Sequence, residues 1–106
     1  MITFVVTMRV APHNAEALAA LIGEVARLSL DHEPGVIHYG YGAGVDEPGT
    51  LVVVEVYADA AAQAAHMQTD WVRDSLPRSM ALIEGKPEIR QYATPGTQPV
   101  TARVKL

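Results

Sequence analysis

The sequence predicts an α+β domain, an antiparallel sheet carrying helices on one face. Three observations lead there. The chain opens with a strand period, Ile2, Phe4, Val6, Met8 and Val10 interleaving with Thr3, Thr7 and Arg9. A helical stripe follows in Leu18, Leu21, Ile22, Val25 and Leu28. Two Val- and Tyr-bearing runs then each follow a turn signal, Glu33-Pro34-Gly35 and Asp46-Glu47-Pro48-Gly49.

The elements follow in order. The first strand covers Ile2 to Val10. Asn14 is read as the cap of the first helix, with Glu16 near the positive end of its dipole. That helix closes near Asp31 or His32, because Pro34 disfavours helical geometry in the residue before it. Strands Val36 to Ala43 and Thr50 to Tyr57 form a hairpin across the short Asp46–Gly49 turn. Asp59 caps a second helix, Ala60 to Gln68, rich in alanine. Asp70 is read as the cap of a further short helix from Trp71, with Pro77 breaking or restarting it and Gly85 ending it. Val72, Leu76, Met80 and Ile83 keep an apolar face through this stretch, and Pro87 leads into a fourth strand, Glu88 to Tyr92.

The resulting order, β-α-β-β-α-β, is the ferredoxin-like arrangement. Alternate strand residues point to opposite faces. Both sets are apolar in Thr50–Tyr57, so the face away from the helices needs cover, most simply a second copy of the chain. Residues 1–93 form the domain and 94–106 a tail. Pro95, Gly96 and Pro99 make a linker, after which Val100, Ala102, Val104 and Leu106 alternate with Thr101, Arg103 and Lys105 as an extra strand would. That strand can join its own sheet or a partner's edge; fraying is the alternative.

Composition excludes several classes. A chain of 106 residues is one domain. A net charge of −4, with eight scattered Lys and Arg, argues against nucleic acid. The absence of cysteine removes disulfides, iron–sulfur clusters and thiolate zinc sites, and fits a cytoplasmic location. No apolar run reaches membrane-spanning length, and the first residues lack a basic leader region.

His66 is the leading candidate for chemistry, since an imidazole suits proton transfer near neutral pH. Its place near a helix end also has a purely electrostatic explanation. The only tryptophan, Trp71, reads either as the wall of an aromatic-substrate pocket or as a core or dimer anchor. Tyr39 and Tyr57 lie on adjacent strands and offer hydroxyl donors, with packing as the alternative. His38 points away from Tyr39, so the two do not line one pocket. Glu55, inside a valine-rich strand, reads as a base or as an ion-pair partner of Arg9 or Arg90, with the ion pair favoured. His13 and His32 read as solvated, and no histidines are spaced as a metal pair. Gly40, Gly42 and Gly44 precede no helix and make no phosphate loop.

The Glu33-Pro34-Gly35 turn followed by Tyr39, then Glu55-Val56-Tyr57, then Ala65-His66, resembles the antibiotic biosynthesis monooxygenase family over roughly Ile2 to Tyr92. The resemblance implies a dimeric α+β barrel and a homodimer. It also implies oxygenation of a phenolic, quinol or anthrone-like aromatic substrate by dioxygen, with no metal and no other cofactor. His66, Tyr39 and Tyr57 would then carry the chemistry. Trp71, Val6, Met67 and Leu76 would line the substrate. A heme-degrading branch with a similar fold uses an Asn, a Trp and an axial His where this chain has about Val6, His66 and Leu76, which leaves the axial ligand missing. A branch that isomerises a phosphorylated sugar derivative would need cations for the phosphate; Arg73 and Arg78 are nearby but form no clear cluster. A non-catalytic small-ligand-binding or stress-related module is the alternative to an enzyme.

Overall fold

The computed structural model describes residues 1–101, in the order β1 (Ile2–Val10), α1 (Pro12–His32), β2 (Val36–Ala43), β3 (Thr50–Tyr57), α2 (Ala60–Met67), α3 (Asp70–Leu82) and β4 (Ile83–Ala93). The strands form one antiparallel sheet, β2-β3-β1-β4, a ferredoxin-like α+β fold.

Alternation sorts the sheet into two faces. On the helix side, Ile2, Phe4, Met8 and Val10 of β1 lie beside Leu51, Val53 and Tyr57 of β3, all buried. α1 supplies Leu18, Leu21, Ile22, Val25 and Ala26 to the same core, and α3 supplies Val72. The other face carries no helix. Its centre is Thr3, Val5 and Thr7 against Val56, Val54 and Val52. His38, Gly40 and Gly42 of β2 flank it on one side, and Tyr92, Arg90 and Glu88 of β4 on the other.

Several boundaries differ from the sequence reading, each for a local reason. Pro12 opens α1 after Ala11, because proline's fixed φ suits the first turn. Asn14 is therefore inside the helix, and its side-chain amide donates to the Leu82 carbonyl at 3.3 Å, tying the start of α1 to the end of α3. Thr69, not Asp70, caps α3, its hydroxyl accepting from the Val72 N–H at 3.4 Å. Pro77 does not break α3. It removes the donor to the Arg73 carbonyl, but both residues are exposed, so water takes over that carbonyl.

Gly85 does not end the helix either. α3 stops at Leu82 and runs straight into β4, where Gly85 takes φ +70 at the irregularity in β1–β4 pairing between Thr7 and Arg9. Glycine is the residue that adopts this conformation without strain. Pro87 is tolerated in β4 because that strand is an edge. Thr94 to Thr101 forms a turn and an irregular segment, and most of the alternating run read as an extra strand, residues 102–106, lies outside the described residues. Among the described residues no helix is long and apolar enough to cross a membrane.

Candidate functional site

The site begins at the end of α1. Pro34 holds Glu33 in extended geometry, φ −111 and ψ 101, and the Val36 N–H closes the turn onto the Glu33 carbonyl at 3.1 Å. Gly35 then passes directly under α2. A Cβ at this position would stand 2.5 Å from the Cβ of Ala62. The missing side chain lets α2 settle on the turn, with Asp59 fixing its start by accepting from the Ala62 N–H at 2.8 Å. One helical turn beyond Ala62 comes His66.

His66 is buried, 2% exposed, and its Nδ1 lies 3.1 and 3.0 Å from the two carboxylate oxygens of Glu33. The Trp71 indole N–H donates to Glu33 Oε2 at 3.0 Å. Thr69 closes the α2–α3 junction by donating its hydroxyl to the His66 carbonyl at 2.8 Å. The imidazole ring also stands 5.5 Å from Tyr39 and 5.3 Å from Tyr57, centroid to centroid.

A second carboxylate completes the group. Glu55 lies opposite Phe4 in the sheet register, hence on the helix side, and accepts a short hydrogen bond from the Tyr57 hydroxyl. The expected ion pair with Arg9 or Arg90 does not form. Arg9 pairs with Glu47 at 3.3 Å and Arg90 with Glu88 at 2.6 Å, both outside the helix-side core. Burial pushes the Glu55 carboxyl above the usual carboxylate range, partly offset by the Tyr57 hydrogen bond and by His66. Burial also raises both phenols, reinforced at each by Glu55 and Glu33, so Tyr39 and Tyr57 stay protonated. Tyr57 donates to Glu55, whereas the Tyr39 hydroxyl has no hydrogen bond to a described residue.

His66, Glu55 and Tyr39 border a cavity of about 170 Å³ between the sheet and the helices. Its walls are mainly apolar. Phe4, Val6 and Met8 come from β1, Met67 from α2, and Val72 and Leu76 from α3. Ile89 and Val100 close the far side. Val100 is held there by a two-point clamp, its N–H donating to Gln91 Oε1 at 2.8 Å and its carbonyl accepting from Gln91 Nε2 at 3.0 Å. No Lys or Arg lines the cavity among the described residues.

Of the residues singled out by sequence, the cavity gathers His66, Tyr39, Val6, Met67 and Leu76. Tyr57 is fully buried behind it, serving Glu55. Trp71 stands behind His66, against Glu33 and 5.6 Å from the His32 ring. Sequence reasoning took Glu33 only as a turn residue. Its signal was electrostatic, since a carboxylate directly after a helix C-terminus opposes the helix dipole.

The fold is of the ferredoxin-like α+β class, with its cavity between sheet and helices. The chain belongs to the antibiotic biosynthesis monooxygenase family, whose model matches residues 1–76. Among solved structures it is similar to a Caulobacter crescentus protein assigned to antibiotic biosynthesis monooxygenases, at 26% identity and TM-score 0.82 over 86% of each chain. A Nitrosomonas europaea protein with the same assignment is 20% identical with TM-score 0.82, over 90% of this chain and 99% of that one. A Bacteroides thetaiotaomicron protein of unknown function, described as an oxidoreductase candidate, is 23% identical with TM-score 0.79, over 86% and 94%. The last two likenesses speak to fold alone. No curated protein matches the chain.

Proposed function

We propose that this protein is a cofactor-independent monooxygenase that oxidises a phenolic, quinol or anthrone-like aromatic compound with dioxygen, as a homodimer. The observation that carries the reading is His66, paired to Glu33 through Nδ1 and bordering a mostly apolar cavity. His66 Nε2 bonds to no described residue, and Ser29 Oγ is the one sealed side-chain polar atom without a partner among them. His66 lines the cavity, so an Nε2 without a protein partner is free to meet a substrate there.

The substrate supplies the electrons. His66 takes the acidic proton, and an apolar cavity makes the resulting anion reactive by withholding water. Tyr39, a protonated phenol on the cavity wall, donates to the developing oxyanion. The carbanionic carbon passes electrons to dioxygen and forms a C–O bond. The peroxide oxygen recovers the proton from His66. Loss of the remaining C–H proton then breaks the O–O bond and releases water. For a methylene substrate the sum is R₂CH₂ + O₂ → R₂C=O + H₂O, with all four electrons from substrate.

Two further features support the reading. A cavity wall with Glu55 and no cation suits a neutral aromatic substrate and disfavours a phosphorylated one, which would lack a counter-charge. The helix-free sheet face, with Val5, Val52, Val54 and Val56 at its centre, is an apolar surface that a second copy would cover. The test is oxygen uptake by metal-stripped protein given naphthalenediols, quinols or anthrones, with His66→Ala run beside it. Tight binding without uptake would favour a ligand-binding module instead.

A further inference from the structure

We propose that Glu33 is a positioning residue for His66: it fixes the imidazole as the Nδ1–H tautomer, so that the lone pair on Nε2 opens to the cavity. The inference rests on the reading of His66 as the proton acceptor, yet its geometry and its main test are independent of any substrate.

Glu33 is not a cavity-lining residue, so it acts through another group. Its two oxygens face one ring nitrogen, at 3.1 and 3.0 Å, with side-chain exposures of 3% for His66 and 10% for Glu33. A carboxylate only accepts hydrogen bonds, so Nδ1 must donate and carry the proton. In the neutral ring that leaves Nε2 as the acceptor. The other polar groups around the ring do not compete for Nδ1. Tyr57 from β3 donates to Glu55, and Tyr39 from β2 has no hydrogen bond to a described residue. Trp71 from α3 donates to Glu33 itself, while His32 at the end of α1 stacks on Trp71.

Trp71 gives the arrangement a sharper consequence. Glu33 Oε2 serves two donors, Trp71 Nε1 and His66 Nδ1. In Glu33→Gln a single amide oxygen replaces the two carboxylate oxygens. The indole is an obligate donor and cannot change tautomer, whereas the imidazole can. The amide oxygen therefore takes the place of Oε2, which serves Trp71, and the amide NH₂ takes that of Oε1, 3.1 Å from Nδ1, where a ring N–H would face a second donor; the ring proton moves to Nε2. A ring protonated on Nε2 has no lone pair toward the cavity. Adding Trp71→Phe frees the amide oxygen, which can again accept from Nδ1–H.

The experiment is nitrogen-15 NMR of the histidine side chains at alkaline pH, with His66→Ala to assign the signal. The other three histidines are exposed and serve as references. The expected results are the Nδ1–H tautomer in the wild type, the Nε2–H tautomer in Glu33→Gln, and recovery of Nδ1–H in Glu33→Gln/Trp71→Phe. With a substrate in hand, kcat of Glu33→Gln falls roughly 10²- to 10⁴-fold, as for a catalytic histidine in the wrong tautomer, while KM is unchanged. An Nε2–H wild type, or a tautomer indifferent to Glu33→Gln, overturns the assignment. If Glu33→Gln does not fold, the wild-type tautomer and its persistence in Trp71→Phe decide the question. If the wild type consumes no oxygen while the tautomers behave as expected, the oxygenase reading fails and the positioning role stands.

Discussion

Gly35 lies so tightly under Ala62 that a Cβ on it would come within 2.5 Å of the Ala62 methyl. This contact sets the height of α2 above the Glu33–Val36 turn, and thereby the distance between His66 and Glu33. Gly35→Ala forces the helix off the turn. Overpacking of this kind costs about 1–3 kcal/mol. The expected outcome is a clear loss in thermal midpoint together with weakened oxygen uptake. A variant with unchanged melting would show that α2 yields freely and that the contact does not set the site.

Tyr57 and Tyr39 both stand near the same imidazole, at 5.3 and 5.5 Å centroid to centroid, and should behave differently. Tyr57→Phe strips the half-buried Glu55 carboxylate of its hydrogen bond, a loss on the order of 1–3 kcal/mol. Tyr39→Phe removes a hydroxyl without a described partner, so stability stays near wild type while kcat falls. Urea unfolding of both variants checks the contrast. Equal destabilisation would make Tyr39 a structural residue.

Glu55 makes stability depend on pH. Its carboxyl is raised in the folded protein, so the folded state holds its proton longer than the unfolded chain does. The stability it contributes is complete below the ordinary carboxylate value of 4.5 and is lost as pH rises through the folded value. Glu55→Gln removes that dependence. Relative to wild type, the variant should gain stability at neutral and alkaline pH compared with its standing in acid. Unfolding curves of both proteins at several pH values measure this, and a pH-independent difference would contradict it.

Val5 and Val54 are cross-strand neighbours at the centre of the helix-free face. If two copies meet there, Val54→Asp buries a charge without a partner and the dimer separates. Light scattering on the wild type should give twice the 11.4 kDa chain mass, and on the variant the chain mass itself. A monomeric wild type would remove the homodimer from the account.

Much of the fold was legible because its signals are local. The strand period of Ile2 to Val10, the stripe from Leu18 to Val25, and the Glu33–Pro34–Gly35 turn each lead to the observed element. What misled was local chemistry overruled by geometry elsewhere. Asn14 resembles a cap but binds across to Leu82, and Pro77 sits where solvent compensates for its missing N–H. Gly85 serves a bulge that exists only once β4 has paired with β1. The site was half legible. His66 could be singled out by residue type, but its carboxylate lies 33 residues earlier in the chain, joined only when α2 packs on Gly35. Glu55 was visible as a misplaced charge. Its partner was not, because Tyr57 and both arginines were all within plausible reach until the register put Arg9 and Arg90 on the other face.

In the proposed reaction His66 takes a proton from an aromatic substrate that then reacts directly with dioxygen. The measurement that tests it most directly is oxygen uptake by metal-stripped protein against naphthalenediols, quinols and anthrones, with His66→Ala beside it. Uptake above the autoxidation rate is expected for at least one compound, lowered on the order of 10²-fold or more in the variant. Uptake by the wild type that persists undiminished in His66→Ala would contradict the claim.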